Sequence, residues 1–321
     1  MKNIRMVGIG MMGHGIASNI VKRGYGLGLF EHAGNQPLDT LRAAGATGFA
    51  SLEQLAAYVD VVILVLTGSG QVEAVLRRTD GLVQSLCPDA IVIDCSTSMP
   101  ASTVPMAQAV QAAGGRFLDV PMTRTPKEAA EGRLNLLVAG DAALLEECRP
   151  LLRCFSENIT LVGPVESGHS MKLLHNHVLL GMVTLLSEAA ACGRRSGVSP
   201  DAFVDVLAKG CGGGVALERL KPFLLARDTS GLRFSIANAR EDLAHYNNMA
   251  DDAGAYKTVA AAVLSTLDAG GAGSRAAGDP RKLSGGKRTP LPCLSGATNR
   301  YILNSRKRLS GRFGPSADVC E

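Results

Sequence analysis

Aromatic residues are scarce in this 321-residue chain: they make up 4% of it, and tryptophan is absent. RNA-binding sheets of the RRM type need exposed aromatic side chains that stack on bases, so the composition argues against such a module. The longest uncharged apolar run, Val178 to Leu186, is too short to cross a bilayer. The N-terminus has no apolar stretch of signal-peptide length. We therefore expect a cytoplasmic protein without a membrane partner.

The eight cysteines form no C-x-x-C pair and have no histidine at a zinc-ligand spacing. Structural zinc sites and redox dithiols use such spacings, so neither is expected. In a reducing compartment the cysteines are most simply small buried hydrophobic residues. His169, His175 and His177 lie close together in the sequence, but no carboxylates accompany them at ligand spacing. We therefore predict that the chain binds no metal.

The net charge of +4 is unevenly distributed. Residues 269–321 contain ten Lys or Arg and three Asp or Glu, a net +7, so residues 1–268 carry a net −3. Gly, Pro and Ser make up 19 of those last 53 residues, a composition typical of disorder. We predict a basic, disordered tail. The basic run at 306–308 would suit a nucleic acid, but a solvated tail is the simpler interpretation, and no nucleic-acid partner is expected.

Short apolar segments alternate with helix-like segments over the first half of the chain. The predicted strands are residues 3–9, 27–30, 61–66, 91–93, 117–118 and 136–138. This alternation predicts a parallel sheet covered by helices on both faces, the doubly wound α/β architecture of the Rossmann type. After residue 164 long Leu/Ala/Met segments predict an all-helical region. The predicted domains are a dinucleotide-binding Rossmann domain at 1–164, a helical substrate and dimerisation domain at 165–268, and the tail at 269–321.

A glycine motif follows the first predicted strand. Gly8, Gly10 and Gly13 have the G-x-G-x-x-G spacing between a strand and a helix that dinucleotide binding requires. The first glycine permits a tight turn, the second lets backbone approach a pyrophosphate, and the third permits close packing of helix on strand. Free N–H groups at the helix N-terminus would bind the pyrophosphate, which adds Met11 and Met12 to the predicted contacts. The alternative is a glycine-rich turn without a ligand.

Further strand ends complete the predicted cofactor site. Glu31 ends the second strand, where an acidic side chain accepts hydrogen bonds from ribose hydroxyls and repels a 2′-phosphate, so NAD is favoured over NADP. The alternative for Glu31 is a solvated loop charge. Leu66 and Thr67 follow at the next strand end, and Ser96 comes after the strand at 91–93. All are at the carboxyl edge, where open α/β sheets bind ligands.

The order of motifs along the chain resembles the β-hydroxyacid dehydrogenase family. The glycine motif is followed by D-x-S-T at Asp94, by D-x-P at Asp119 with a later G-x-L, and by G-x-x-x-K-x-x-x-N from Gly168 to Asn176. The resemblance covers residues 1 to about 268. It implies a Rossmann domain joined to a helical domain, a homodimer or homotetramer, and NAD(P)-dependent oxidation of a 3-hydroxy acid or reduction of its semialdehyde.

The resemblance also implies roles for individual residues. It assigns Lys172 as the catalytic acid/base, Asn176 as its substrate-positioning partner, and Ser96 as a residue beside nicotinamide and substrate. Lys172 and Asn176 are four residues apart, so a helix places them on one face. Apolar neighbours would partly desolvate the lysine and lower its pKa, as removal of a hydroxyl proton requires. The alternative is an ordinary surface lysine.

Two segments depart from the family pattern. Relatives usually have Ser-Gly-Gly where this chain has Thr123, Arg124 and Thr125, a segment closer to that of sulfolactaldehyde reductases. We predict that these three residues bind the substrate and that the Arg124 guanidinium grips a sulfonate or phosphonate; alternatively, it points to solvent or to the cofactor. The family's late Lys-Asp pair reads Glu241 and Asp242 here, which calls that lysine's contact with cofactor or substrate into question.

The sequence thus predicts an NAD-dependent dehydrogenase that acts on a small anionic hydroxy acid or its semialdehyde. The cofactor would carry the hydride, while the protein supplies orientation and proton transfer. The alternative is a non-catalytic dinucleotide-binding regulatory module with a basic tail, and the presence of Lys172 and Asn176 favours the enzyme. The resemblance fades after residue 267, as though an altered reading frame had replaced the end of the helical domain.

Overall fold

The computed structural model describes residues 3–232 and 235–275. The chain divides into two compact units, which we call the first unit (residues 1–176 and 248–255) and the second unit (residues 177–247 and 256–321). The domain limits expected from the sequence remain a prediction. Of the predicted tail, residues 276–321 lie outside the described residues.

The described part of the first unit contains a nine-stranded sheet. Its strands are β1 (Ile4–Val7), β2 (Leu27–Phe30), β3 (Thr47–Phe49), β4 (Val61–Leu64), β5 (Ile91–Asp94), β6 (Arg116–Asp119), β7 (Met122–Thr123), β8 (Leu134–Ala139) and β9 (Ser156–Gly163). The helices between them are α1 (Met11–Lys22), α2 (Asp39–Ala43), α3 (Leu52–Ala56), α4 (Ser69–Arg77), α5 (Pro100–Ala112), α6 (Pro126–Glu131) and α7 (Ala142–Leu152), with a 3₁₀ helix at Leu82–Ser85.

Six strands are parallel and lie in the order β3-β2-β1-β4-β5-β6. Their carboxyl ends are in register: Val7 pairs with Leu64, Leu64 with Asp94, and Asp94 with Asp119. The chain winds outward in both directions from the β1–β4 pair. This confirms the predicted doubly wound Rossmann-type sheet, and it places the loops after the strands along one ligand-binding edge.

The remaining strands do not all run parallel to these six, whereas the sequence predicted a parallel sheet. Strand β8 runs antiparallel to both β6 and β7, and β9 then pairs parallel to β8. Strands β3, β7 and β9 were missed in the sequence because none has a continuous buried apolar run. Most residues of β9 are exposed or half-buried, and β7 has only two residues.

The apolar strand residues are buried on both faces of the sheet. In β4, Val61 and Ile63 belong to one hydrophobic cluster, whereas Val62 and Leu64 belong to another. Successive strand residues point to opposite faces, so a sheet covered on both sides needs an unbroken apolar strand. Each such side chain contributes roughly 1.5–3 kcal/mol on full burial. The packed interior of the sheet therefore fixes the positions of the strand ends from which the loops of the carboxyl edge begin.

Side-chain caps begin several of the helices. The Ser51 hydroxyl accepts the N–H of Gln54 at 3.1 Å at the start of α3, and Asp141 accepts the N–H of Leu144 at 2.8 Å at the start of α7. These bonds satisfy N–H groups that have no acceptor within the helix. Pro100 opens α5, where its fixed φ suits the first helical position.

Beyond residue 176, the described elements of the chain are all helices. They are the remainder of α8 (Ser167–Arg195), then α9 (Pro200–Lys209), α10 (Val215–Ala226), α11 (Ile236–Asp252) and α12 (Thr258–Arg275). Leu180, Leu243 and Val263 share one buried cluster, and Leu186 and Leu217 another. The helical region is thus as predicted, and the helix break predicted at 212–214 lies between α9 and α10. Helix α12 also includes residues 269–275, which the sequence had assigned to the tail.

None of the described helices combines the length and the hydropathy that a membrane span needs.

Gly15 generates a prediction about stability, because it lets α1 approach α6. A Cβ on Gly15 would lie 2.7 Å from backbone atoms of Ala129 and Ala130, whose carbonyls accept hydrogen bonds from Asn19 Nδ2 at 2.9 and 3.1 Å. Gly15→Ala should lower the free energy of unfolding by about 1–3 kcal/mol through overpacking. The matched control is Gly70→Ala in α4, which has open space around it and should gain about 0.5–1 kcal/mol. Urea unfolding measures both, and equal shifts would contradict the close approach.

Candidate active site

The loop after β1 has the shape of a dinucleotide-binding turn. Gly8 has a φ of +96°, and a Cβ on it would lie 2.2 Å from the Val65 carbonyl oxygen. A Cβ on Gly13 would lie 2.0 Å from the Gly8 carbonyl oxygen. At Gly10, by contrast, nothing described lies within 4 Å of the Cβ position. The first and third glycines are therefore required by packing, whereas the second opens space in which a pyrophosphate can approach the backbone.

The start of α1 faces this loop. Gly10 is the N-cap, and no side chain of the described residues caps the first turn. The first N–H groups of a helix have no acceptor within it, and they carry the positive end of the helix dipole. Met11 and Met12, for which cofactor contacts are predicted, occupy this turn. The uncapped turn and the open space at Gly10 together fit the pyrophosphate of a dinucleotide.

Glu31 follows β2 and forms an ion pair that the sequence did not indicate. Its Oε1 accepts a hydrogen bond from Arg42 Nη2 at 2.5 Å, and both side chains are exposed. The hydrogen bond that Arg42 donates to Glu31 and the negative charge of that carboxylate raise the pKa of Arg42. Asn35 links the two loops beside this pair, since it accepts the N–H of Ile9 at 3.3 Å and donates to the Phe30 carbonyl at 2.9 Å. A cation thus stands next to the predicted ribose-binding acid.

Ser96 lies after β5 and is buried. Its hydroxyl accepts the N–H of Leu66 at 3.0 Å, and its own N–H donates to Asp94 Oδ1 at 2.9 Å. These bonds bring two predicted cofactor residues, Ser96 and Leu66, into contact, and Thr67 follows as an exposed residue. A hydroxyl that accepts one hydrogen bond can still donate its own hydrogen. Ser96 is therefore able to offer a donor at the carboxyl edge of the sheet.

Lys172 lies on α8 beside the predicted substrate segment. Its Nζ donates a hydrogen bond to the carbonyl of Met122 at 2.8 Å, and Met122 precedes Thr123 in β7. Thr123 is buried. One turn further along α8, Asn176 is buried as well, and its Oδ1 lies 3.1 Å from His175 Nδ1. The structure thus places the predicted acid/base against Met122, the residue that precedes the 123–125 segment.

The other two residues of that segment have local partners. Arg124 Nη1 contacts both the carboxylate of Glu157 and the carbonyl of Arg133. Thr125 is the N-cap of α6, and its hydroxyl lies 2.5 Å from the carboxylate of Glu128 in a capping box. The Arg124 guanidinium is therefore paired with a carboxylate, an arrangement that the local sequence did not reveal. An anionic substrate would have to compete with Glu157 for it.

A buried polar cluster under the start of α8 was missed by the sequence analysis. Asp94, Asp119, Thr103 and His169 are each at most 2% exposed. Asp119 Oδ1 accepts the N–H of Glu166 at 3.1 Å, and Oδ2 accepts the N–H of His169 at 3.0 Å. Burial raises the pKa of Asp119, while the charge of His169 and these N–H groups act in the opposite direction. In the sequence, Asp94 and Asp119 were used only to recognise the family motifs. Both residues end predicted neighbouring strands, and this was the signal that could have revealed the cluster.

Other titratable groups that stood out in the sequence belong to the second unit. In the second unit, His177 stacks on Tyr246 with ring centroids 4.1 Å apart, and burial lowers the pKa of His177. Arg240 precedes Glu241 and Asp242, the two residues that differ from the family pattern, and it forms an ion pair with Asp268 at 2.5 Å. Within residues 3–232 and 235–275, no group of three or more His, Cys, Asp or Glu side chains is arranged to hold a metal ion.

Two family models match the chain in sequence. Residues 3–163 match the NAD binding domain of 6-phosphogluconate dehydrogenase, and residues 167–283 match a domain described as NAD-binding of NADP-dependent 3-hydroxyisobutyrate dehydrogenase. An NAD-dependent L-serine dehydrogenase of Pseudomonas aeruginosa PAO1 is 34% identical over 223 residues, 70% of this chain and 74% of that protein. A 3-sulfolactaldehyde reductase of Escherichia coli K12 is 31% identical over 207 residues, 64% of this chain and 69% of that protein.

A solved structure agrees with these matches. The 3-hydroxyisobutyrate dehydrogenase of Mycobacterium tuberculosis, determined with L-serine, is similar with a TM-score of 0.76 and 25% identity, covering 84% of this chain and 93% of that one. The dinucleotide loop, the helices beyond residue 176 and the family models all indicate the same family. The chain therefore belongs to the β-hydroxyacid dehydrogenase family of oxidoreductases that use a nicotinamide dinucleotide.

Proposed function

We propose that this enzyme interconverts a small 3-hydroxy acid, or a related anionic alcohol, and its aldehyde or ketone, with Lys172 as the acid/base. The observation that carries the proposal is the bond of 2.8 Å between Lys172 Nζ and the Met122 carbonyl, which holds the amine beside β7. Asn176 follows one helical turn later, on the same face of α8. The names of the relatives, which include an L-serine dehydrogenase and a 3-sulfolactaldehyde reductase, support a small anionic substrate.

The chain's own residues would orient the reactants and move a proton. When bound, the nicotinamide accepts or supplies the hydride. In the oxidative direction Lys172, as the free amine, takes the proton of the substrate hydroxyl, and in the reductive direction the ammonium returns it. The Met122 carbonyl directs Nζ, the buried Asn176 amide orients the substrate oxygen, and Ser96 offers a hydroxyl from the strand end. Positioning of this kind accounts for a large part of catalysis by dehydrogenases.

Exposed apolar residues in the second unit support a homo-oligomer. Val178 and Leu185 on α8 are 59% and 66% exposed, and Val206 on α9 is 66% exposed. Val178 and Leu185 are seven residues apart and so lie on one face of α8, and a contiguous exposed apolar patch marks an interaction site. We infer that a second copy of this chain covers them, in a homodimer or homotetramer as the resemblance implies. The cytoplasmic location expected from the sequence remains a prediction.

Lys172→Ala should lower kcat by at least about 100-fold, because general acid–base catalysis typically contributes 10²–10⁴-fold. The Kd for NADH should stay nearly unchanged, since the glycine loop and Ser96 are intact. Lys127→Ala, which removes an exposed lysine on α6, is the matched control and should keep full activity. NADH formation is measured with 3-hydroxyisobutyrate, L-serine and 2,3-dihydroxypropane-1-sulfonate, and NADH consumption with the corresponding aldehydes, which include 3-sulfolactaldehyde.

A Lys172→Ala variant that kept more than about a tenth of the wild-type rate would remove Lys172 from the proposal. A wild-type protein that bound NADH but turned over no substrate in either direction would favour the non-catalytic module instead.

Glu31→Gln should raise the efficiency with NADP relative to NAD. The neutral isostere removes the repulsion of a 2′-phosphate, and it leaves Arg42 available to bind that phosphate. One charge-assisted hydrogen bond is worth about 1.5–3 kcal/mol, so the ratio of the two kcat/KM values should change by about 10–150-fold. The double variant Glu31→Gln/Arg42→Ala should lose most of this gain. Wild-type efficiency that is already equal or higher with NADP would refute a discriminating role for Glu31.

Arg124→Gly should reduce kcat/KM for 3-sulfolactaldehyde reduction far more than for 3-hydroxyisobutyrate oxidation, because the guanidinium suits a sulfonate. Glycine fits the backbone at this position, where φ is +82°. Glu157→Gln is the matched variant, since it frees Arg124 and should change the same ratio in the opposite direction. If both variants leave the ratio unchanged and shift only the melting temperature, the ion pair is structural and Arg124 does not select the substrate.

A further inference from the structure

His169 is a fully buried histidine in the first turn of α8, three residues before Lys172. Its ring is surrounded by side chains from three other elements. Nδ1 lies 2.8 Å from the Thr103 hydroxyl on α5 and 3.6 Å from Asp119 Oδ2 at the end of β6, while Nε2 lies 3.8 Å from Asp94 Oδ2 at the end of β5. Next to Asp94, burial and the neighbouring negative charge raise the pKa of the Cys95 thiol, which therefore stays neutral.

The hydrogen bonds of Thr103 determine which atom of the ring carries a proton. A hydroxyl has one hydrogen to donate, and we assign that of Thr103 to the Met99 carbonyl, 3.1 Å away. Toward His169 the same oxygen must then act as an acceptor, so Nδ1 carries a hydrogen. The carboxylate of Asp119 on the same side of the ring favours this assignment.

Nε2 faces Asp94 and has no hydrogen-bond partner among the described residues. If Nε2 were unprotonated, its lone pair would point toward a carboxylate in a site without water access, where repulsion is poorly screened. If it carries a hydrogen, the same geometry is attractive. The carboxylates are otherwise satisfied, since Asp94 accepts the N–H of Ser96 and Asp119 those of Glu166 and His169. Buried charges that are paired and hydrogen-bonded in this way are tolerated.

We propose that His169 is held as an imidazolium between Asp94 and Asp119 and acts as a positioning residue for the active site. The first carboxylate holds the backbone N–H of Ser96, and the second holds the first turn of the helix that carries Lys172. The buried His169 cation therefore links the strand end that precedes Ser96 with the first turn of the helix that carries Lys172. The substrate would bind between these two segments. The proposal rests on the proposed function only in taking Lys172 and Ser96 as the groups that need alignment.

The charge of His169 can be measured without any substrate. The full chain is labelled with ¹⁵N-histidine, and long-range ¹H–¹⁵N correlation spectra are recorded at neutral pH with and without NADH. His169→Gln identifies the resonances of the residue. Both ring nitrogens should be protonated, with chemical shifts of an imidazolium. A neutral ring with a hydrogen on one nitrogen alone would overturn the proposal.

The positioning role is tested with a pair of variants at Thr103. Thr103→Val keeps the shape of the side chain but removes the acceptor of Nδ1–H, whereas Thr103→Ser retains it. The valine variant should lose about tenfold or more in kcat, as small misplacements of catalytic groups do. The serine variant should recover most of that activity, and the Kd for NADH should stay unchanged in both.

His169→Gln should show a kcat loss at least as large as that of the valine variant, with KM changed less than kcat. If either the valine variant or a folded His169→Gln enzyme keeps wild-type kcat, His169 is not a positioning residue. A wild-type protein without turnover on any substrate would count against the proposed function, and the NMR spectra would then still decide the charge of His169.

Discussion

The candidate active site depends on one buried carboxylate, that of Asp119 at the end of β6. Each of its oxygens accepts a backbone N–H from the start of α8, one from Glu166 and one from His169. These bonds attach the helix to the sheet at a fixed rotation, so they determine where Lys172 points one turn later. A buried carboxylate is costly unless it is paired and hydrogen-bonded. His169 and the N–H groups around Asp119 therefore help to fix the position of Lys172.

The sequence predicted those parts of the fold and site that local physical rules determine. Strands such as β4 need an unbroken apolar run, and a turn such as that at Gly8 needs glycine, so both can be recognised from neighbouring residues. The Glu31–Arg42 and Arg124–Glu157 pairs could not, because each joins side chains 11 or 33 positions apart whose meeting depends on the folded sheet. Strand β9 was missed for a related reason: it is held by pairing with β8 rather than by burial.

Each predicted specificity residue takes part in an ion pair. Glu31 pairs with Arg42, and Arg124 pairs with Glu157. Under the proposed role of Glu31, the choice between NAD and NADP would be a balance between that carboxylate and the neighbouring Arg42 guanidinium. Arg124 is likewise shared between Glu157 and any anion that reaches it. Exposed ion pairs contribute little to stability, typically 0.2–1 kcal/mol. A bound phosphate can therefore displace the exposed Glu31 carboxylate from Arg42 at small cost.

The backbone at Arg124 is one that glycine adopts more easily than arginine. Its φ of +82° lies in the left-handed region, which glycine adopts freely and which costs other residues roughly 1–2 kcal/mol. Glu166, with the same φ of +82°, is in the same situation one residue before α8, and its N–H bond to Asp119 offsets the strain. At Arg124 the contacts with Glu157 and the Arg133 carbonyl act in the same way. Both strained residues thus border the segments that hold Lys172, and in each case a charged partner takes over the role that glycine's freedom plays elsewhere.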